Sequence, residues 1–274
     1  MKAYSTGIFF NKPIIDVLKV FKKDGVDLIE IWTGKGRGDK EEHFKYQIKD
    51  EVERVSEFIE LNGLNIFSVH APYSDRICLT NKDYQEEAVK EIKIAINIAK
   101  MVKAEYVLIH PASVEGKIEK GNRKKFFEIF KRGFYEIYDY ALKFGIKIEI
   151  ENPLPHIYWG KMEDFIYLIE KLNCEVSFDT SHAFLSGNII KFLNSLIDYI
   201  RSFHISDNRG NEDEHLFPGL GYINWSNFFD ELKDNKRYVF ILEALRGFSE
   251  EDYKERFDKF FDKYYYKKYE DNKR

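Results

Sequence analysis

The segment "GIKIEIEN", Gly145–Asn152, shows the unit that is repeated along this chain. A long segment of helical period, "RKKFFEIFKRGFYEIYDYALKF", leads into it, and Gly145 stands where glycine commonly ends a helix. The residues that follow are rich in isoleucine, as is usual for parallel strands that are covered by helices. The segment therefore predicts a helix followed at once by a buried parallel strand.

Eight such strand segments alternate with helical segments over the whole sequence. The predicted strands are Tyr4–Phe10, Val26–Trp32, Asn65–Ala71, Ala104–His110, Ile146–Asn152, Cys174–Thr180, Ile200–Asp207 and Tyr238–Ala244. Eight strand-helix pairs predict an α/β fold, a single (β/α)₈ TIM barrel over residues 1–274 with a polar tail from about residue 264. The alternative is a doubly wound sheet, which usually has a glycine-rich dinucleotide turn after its first strand; "GIFFNKP" is not such a turn.

Composition limits the classes of protein that the chain can belong to. With 274 residues, 44% of them hydrophobic, it can bury one large core, and the formal charge of −4 provides no basic footprint for nucleic acid. Cys78 and Cys174 stand far apart, which predicts a reducing, cytoplasmic setting and argues against a thiolate metal site. No segment approaches the roughly 20 apolar residues of a membrane span, so we expect no membrane association, and no signal for a protein partner stands out.

Histidines and carboxylates recur at the predicted carboxyl ends of the strands, in "SVHAPY", "LIHPA", "IEIEN", "FDTSH", "FHISD" and "ILEA", and in the loop "EDEHLFPGLG". In a TIM barrel these ends converge on one site. The candidates are His70, His110, Glu151, Asp179, His182, His204, Asp213, His215 and Glu243. Any one of them could be structural, and Asp179 could cap a helix. Together they predict a metal site for Zn²⁺, Mn²⁺ or Fe²⁺, because imidazole and carboxylate ligands suit these ions.

Nine candidate ligands are more than one ion uses. If two or three ions lie together, they suit hydrolysis of a phosphoester. If a single ion is bound and the other side chains contact substrate, the site suits sugar isomerisation, in which carboxylates move a proton. A protein that binds metal without turnover is a third alternative.

Two weaker signals lie beside the strand ends. The stretch "GKGRG", Gly34–Gly38, is predicted to be a strand-to-helix loop, with a phosphate-binding loop as the alternative. Trp32, Trp159 and His156 could line a pocket for a sugar or a base, or could belong to the core.

The ordered series HAPY, HP, IEN, DTSH, HxSD, DxHxxxGxG and ILE resembles the xylose isomerase-like, AP endonuclease family 2 superfamily. The resemblance runs from "GVDLIEIW" to "ILEA". Members of this superfamily include endonuclease IV and many sugar isomerases and epimerases, so the resemblance implies a barrel enzyme that acts on abasic DNA or on a small sugar-type substrate. Its endonuclease branch implies up to three zinc ions, with Mn²⁺ possible. The ligand sets would be His70, His110 and Glu151; Glu151, Asp179, His204 and Glu243; and His182, Asp213 and His215.

The isomerase branch implies a different use of the same residues. A single ion would be held by the set that contains Glu151, Asp179, His204 and Glu243. His182 and Arg209 would then contact sugar hydroxyls, and Glu151 and Glu243 would move the proton. Glu151, Glu243 and His182 are the expected catalytic residues. The chain has the complete nuclease-like ligand series, and phosphoester hydrolysis is therefore our first expectation.

Overall fold

A computed structural model describes residues 1–34 and 43–266 of the chain. Its eight parallel strands form one closed barrel in which each strand pairs with the next and β8 pairs with β1. The strands are β1 Lys2–Ser5, β2 Ile29–Trp32, β3 Ile66–His70, β4 Tyr106–Ile109, β5 Lys147–Glu151, β6 Glu175–Asp179, β7 Ile200–Ile205 and β8 Val239–Leu242. The predicted (β/α)₈ barrel is confirmed, and the doubly wound alternative is wrong because the sheet has no open edge.

Nine α-helices surround the barrel in the described part of the chain. They are α1 Ile14–Lys23, α2 Lys49–Asn62, α3 Gln85–Met101, α4 Arg123–Leu142, α5 Met162–Leu172, α6 Thr180–Leu185, α7 Ile189–Leu196, α8 Trp225–Asp230 and α9 Tyr253–Phe261. Most have one apolar face; in α1, for example, Ile14, Val17, Leu18 and Phe21 are buried at the three- and four-residue spacing of a helix. Among these residues there is no helix with the length and apolar character needed to cross a membrane.

The observed strands are shorter than the predicted ones. The first predicted strand continues to Phe10, but β1 ends at Ser5, whose hydroxyl accepts a hydrogen bond from the Gly7 backbone N–H and caps a 3₁₀ turn over Thr6–Phe9. The apolar residues of this turn are buried, and burial rather than strand structure explains the apolar run. The predicted tail begins within a π-helical turn, Asp262–Tyr266, and its remainder lies outside the described residues, as does most of "GKGRG".

Alternate residues of the strands face the interior of the barrel. In β5, Ile148 and Ile150 pack on the helices, whereas Glu149 and Glu151 point inward. The interior has a layer of buried polar side chains, in which Ser202 donates a hydrogen bond to Glu149 (2.7 Å) and Ser68 donates one to Glu30 (2.8 Å). Their positions in the strands place this layer directly beneath the carboxyl end of the barrel, where the candidate ligands lie.

Candidate metal centre

The barrel brings all nine predicted ligands to its carboxyl end. Strand ends carry most of them: His70, Glu151 and Asp179 are the last residues of β3, β5 and β6, and His110 and Glu243 directly follow β4 and β8. The remaining members are His204 in β7, His182 in α6, and Asp213 and His215 in the loop after β7. Their possible ligand atoms fall into small groups in which all atoms lie within 4.8 Å of one another.

The first group consists of His70, His110 and Glu151. The Nε2 atoms of His70 and His110 lie 3.4 and 3.2 Å from the same carboxylate oxygen, Oε2 of Glu151. They are also 3.4 Å from each other. Three ligand atoms therefore converge on one point between β3, β4 and β5.

The second group consists of Glu151, Asp179, His204 and Glu243. Nδ1 of His204 lies 2.6 Å from Oε2 of Glu243 and 3.3 Å from Oε2 of Glu151. Asp179 is held by Asn152, whose side chain accepts a hydrogen bond from the Asp179 backbone N–H at 2.8 Å. Because Glu151 belongs to both groups, its carboxylate is the connection between them.

The third group consists of His182, Asp213 and His215. Oδ2 of Asp213 lies 2.8 Å from Nε2 of His215 and 3.3 Å from Nε2 of His182. Nδ1 of His182 is 3.4 Å from Oε1 of Glu151, so this group adjoins the others. These three groups have the same members as the three ligand sets that the resemblance implies, and a fourth group, His70, His204 and Glu243, links the first to the second.

Each of four histidines has one ring nitrogen fixed by an acceptor that is not a candidate ligand atom. Nδ1–H of His70, His182 and His215 donates to a backbone carbonyl, at 2.9, 2.9 and 3.0 Å. Nε2–H of His204 donates instead to Oε2 of the Glu30 carboxylate, 3.3 Å away. In a neutral imidazole the second nitrogen is then an unprotonated acceptor, which is the form that binds a metal ion.

Buried polar atoms in the cluster lack a hydrogen bond, and this observation tests whether the residues fit a metal ion. Oε2 of Glu151, Oδ2 of Asp179 and Nδ1 of His204 are buried without one. With Nε2–H bound to Glu30, the His204 Nδ1 lone pair would face the Glu243 carboxylate across 2.6 Å, which requires a proton or a cation between them. The donor set and its unsatisfied atoms therefore fit a divalent cation such as Zn²⁺.

Burial alone would raise the pKa values of Glu151, Glu243 and Asp213, but the nearby histidines outweigh it and lower them. Asp179 is the exception. Burial and the nearby charges of Glu151, Glu243 and Asp213 raise the pKa of Asp179 to about 7, although His182 opposes the shift. Burial would lower the pKa of His215, but Asp213 outweighs it and raises the pKa to about 9. The Asp179 carboxylate therefore keeps its proton near neutral pH, and an added positive charge would relieve the repulsion between it and the neighbouring carboxylates.

Glu30 was not among the predicted site residues. It is fully buried in β2 and contacts His204, 174 positions further along the chain. The signal in the sequence is a carboxylate between two isoleucines in "LIEIW", which requires a buried partner.

Asp207 was also missed as a site residue; it organises the loop that carries Asp213 and His215. Its carboxylate accepts hydrogen bonds from Gly219 N (2.9 Å), Ile223 N (3.2 Å) and Trp225 Nε1 (2.9 Å). Its backbone pairs with Leu216 in both directions, at 2.8 and 2.9 Å. These bonds fix the segment next to His215, so the loop ligands have a rigid support.

Arg209, the predicted substrate-binding residue, lies in the same loop and pairs with Glu214. The distance from its Nη1 to Glu214 Oε1 is 2.5 Å, and the arginine side chain is 47% exposed. Contact of Arg209 with a substrate remains a prediction. Of the other aromatic candidates, Trp159 is buried and donates to Thr80 (2.9 Å), so it belongs to the core, and His156 is exposed.

Comparison with known sequences identifies related proteins. The sequence model of a family described as xylose isomerase-like TIM barrel matches residues 18–263. An uncharacterised protein of Methanocaldococcus jannaschii is 30% identical over 173 residues, which are 61% of this chain and 66% of that protein. A probable endonuclease 4 of Halothermothrix orenii is 24% identical over 223 residues, 73% of this chain and 77% of that protein. The chain thus spans slightly less than two thirds of the archaeal relative.

Solved structures share the fold at low sequence identity. A D-tagatose 3-epimerase-like protein superimposes with a TM-score of 0.79 at 22% identity, covering 97% of this chain and 98% of the other. The IolI protein, solved with a bound zinc atom, has a TM-score of 0.78 at 20% identity with the same coverage. At such identities the likeness shows the barrel and not its chemistry.

Proposed function

The chain belongs to the xylose isomerase-like TIM-barrel family, and we propose that within this family it is a divalent-metal-dependent phosphoester hydrolase. Members of the family are enzymes, among them epimerases, isomerases and endonucleases. Zn²⁺ is the proposed ion, with up to three bound per chain and Mn²⁺ as a possible substitute.

One observation carries this proposal: the third group, His182, Asp213 and His215, is assembled beside the other two. A single-ion sugar isomerase needs only the second group. It has no evident use for His70, His110, Asp213 and His215. Their convergence supports a site for more than one ion, and ions a few ångströms apart suit phosphoester hydrolysis.

The chain's own residues have distinct parts in this proposal. When bound, divalent ions supply positive charge that attracts a phosphate group and increases the acidity of a water molecule. Glu151 would hold the first and second groups at a fixed spacing, since its Oε2 lies within 3.4 Å of His70, His110 and His204. Asp213 would hold the third group at the edge of the mouth. Because Glu151 and Asp179 are almost fully buried, they keep bulk water out of the base of the site.

Metal counting combined with a hydrolysis assay tests the proposal. Protein loaded with zinc should bind two or three ions per chain and hydrolyse bis(p-nitrophenyl) phosphate. His215→Ala should lose one ion and most of the hydrolysis, because it removes a ligand of the third group. His156→Ala, which changes an exposed histidine, is the control and should behave as wild type. A single ion per wild-type chain, or full activity with unchanged metal content in His215→Ala, would reject the proposal.

A metal-dependent sugar isomerase or epimerase is the second candidate. The observation in its favour is that Glu151, Asp179, His204 and Glu243 form a complete four-residue set, with two glutamates placed to move a proton. A panel of ketoses, assayed for epimerisation with the same zinc- and manganese-loaded protein, tests it. Turnover of a ketose without phosphoester hydrolysis would make this candidate the function.

A further inference from the structure

A chamber of about 520 Å³ opens from the barrel mouth beside His215 and Glu243. Its walls come from the segments after β1, β2 and β3 and from α3. Cavities of about 300–1,000 Å³ are the usual size of small-molecule sites. A chamber of this volume is not the long basic surface that binds the backbone of a duplex.

One wall of the chamber is the indole ring of Trp32, which is locked in place. A Cβ at Gly34 would lie only 1.8 Å from the ring, and one at Gly7 would lie 3.2 Å from it, so the backbone at both glycines packs close to the indole. The Trp32 backbone N–H also donates to Thr6 Oγ1 (2.9 Å). A rigid aromatic surface of this kind packs against the face of a sugar or a base at little entropic cost.

A second wall presents the carboxylate of Glu91, a residue of α3 that is 9% exposed. Its Oε2 accepts hydrogen bonds from Tyr46 Oη (3.1 Å) and Gln47 Nε2 (2.9 Å). No hydrogen bond to Oε1 comes from residues 1–34 or 43–266. A carboxylate oxygen at a chamber wall accepts a hydrogen bond from a hydroxyl or an amine of a ligand.

Among the described lining residues, the charges of the chamber disfavour a second phosphate. Arg76 is the one lysine or arginine among its described lining residues, and Glu87 neutralises it through contacts of 2.8 and 3.1 Å. His215, which also lines the chamber, is paired with Asp213 at 2.8 Å, and the carboxylates of Glu91 and Glu243 remain. The described walls therefore favour a neutral group with hydrogen-bond donors over an anion. The phosphate itself would lie at the metal cluster.

We propose that the chamber binds the neutral, donor-bearing organic group of a small phosphoester, with Trp32 packing against it and Glu91 accepting its hydroxyl or amino hydrogens. The donor-bearing group can come from a sugar or from a nucleoside. This inference rests on the proposed hydrolase function, and it makes a small molecule, rather than duplex DNA, the substrate.

Glu91→Gln is the test. The amide oxygen can keep the hydrogen bonds from Tyr46 and Gln47, and the amide NH₂ group then replaces the acceptor oxygen that faces the chamber with a donor. Zinc-loaded protein is assayed with a sugar phosphate, a nucleoside monophosphate, p-nitrophenyl phosphate and an abasic duplex. Loss of a hydrogen bond to a charged group commonly weakens binding by about 10-fold or more. We therefore expect kcat/KM for the donor-bearing substrates to fall at least 10-fold relative to p-nitrophenyl phosphate, mainly through KM. Glu86→Gln, on the exposed side of the same helix, should change neither value.

The turnover measurements can support or overturn the inference. An equal fall for all small substrates, or a higher wild-type kcat/KM for the abasic duplex, would overturn the inference. The sugar phosphate and nucleotide assays identify which source of the donor group the chamber prefers. If Glu91→Gln melts at a lower temperature, Trp32→Leu is the second variant and should weaken the same substrates.

Binding separates this inference from the proposed function. If wild-type protein hydrolyses no phosphoester, the hydrolase proposal fails. Calorimetric titration of zinc-loaded protein with the sugar phosphate and the nucleotide still tests whether the chamber binds the donor-bearing group. A Kd that rises at least 10-fold in Glu91→Gln would support the chamber assignment. Absence of binding to wild type, or an equal Kd in the variant, would reject it.

Discussion

Glu30→Gln tests whether a side chain outside the cluster sets the metal affinity of one histidine. Glu30 accepts hydrogen bonds from Ser68 Oγ and His204 Nε2 in the fully buried barrel interior. The amide keeps the shape and can still accept from Ser68, but it removes the charge that makes His204 a strong ligand. His70, His182 and His215 have backbone carbonyls as their partners, so the change acts on His204 alone.

The size of the effect follows from this geometry. Losing a hydrogen-bonded partner of a metal-binding histidine commonly costs about 10–100-fold in metal affinity. That range is about 1.4 to 2.7 kcal/mol of binding free energy. The loss should fall on the ion held by Glu151, Asp179, His204 and Glu243, while the group of His182, Asp213 and His215 should retain its affinity.

Competition with a chromophoric zinc chelator measures the affinity step by step. Glu149→Gln is the matched control: Glu149 is as fully buried in the same barrel, but its partner is Ser202 and not a histidine. Burial raises the pKa of Glu149 to about 8, so the change to an amide alters little charge at neutral pH. Thermal melts without metal check that both variants fold. Unchanged zinc affinity in Glu30→Gln, or an equal loss in Glu149→Gln, would refute the reasoning.

Two further predictions concern Glu151 and His43. Glu151→Gln should lose an ion and reduce the rate of hydrolysis by a factor of about 10² to 10³ or more, since one electrostatic contact in an active site is commonly worth that much. If this variant hydrolyses substrate at the wild-type rate, Glu151 does not connect the ligand groups as proposed. Burial lowers the pKa of His43 to about 4, below its unfolded value of 6.5, although its hydrogen bond to the Lys12 carbonyl opposes the shift. The stability from neutral His43 is therefore present above pH 6.5 and is lost as the pH falls toward 4. Urea unfolding should show that wild type loses about 3 kcal/mol more than His43→Gln between these limits; parallel pH curves for the two proteins would contradict it.

The barrel and the positions of most candidate ligands could be predicted from local sequence. Isoleucine-rich strands such as Ile146–Ile150 alternate with helical segments, and this pattern depends only on near neighbours in the chain. Parallel strands of a barrel all end at one face, so histidines and carboxylates at those ends had to meet once the fold was predicted. The assignment of Asp213 and His215 in the loop rested on the family resemblance as well.

Contacts between distant segments could not be predicted in this way. Glu30 meets His204 only because closure of the barrel through β8 and β1 brings β2 near β7. Arg209 lies beside Glu214 and Trp32 is locked against Gly34 because of the exact course of two loops, which composition does not determine. Residue types and their spacing therefore determined which groups gather at the mouth. The closure of the barrel and the packing of its loops decided their partners, because hydrogen bonds and burial depend on distances in space and not on separation along the chain.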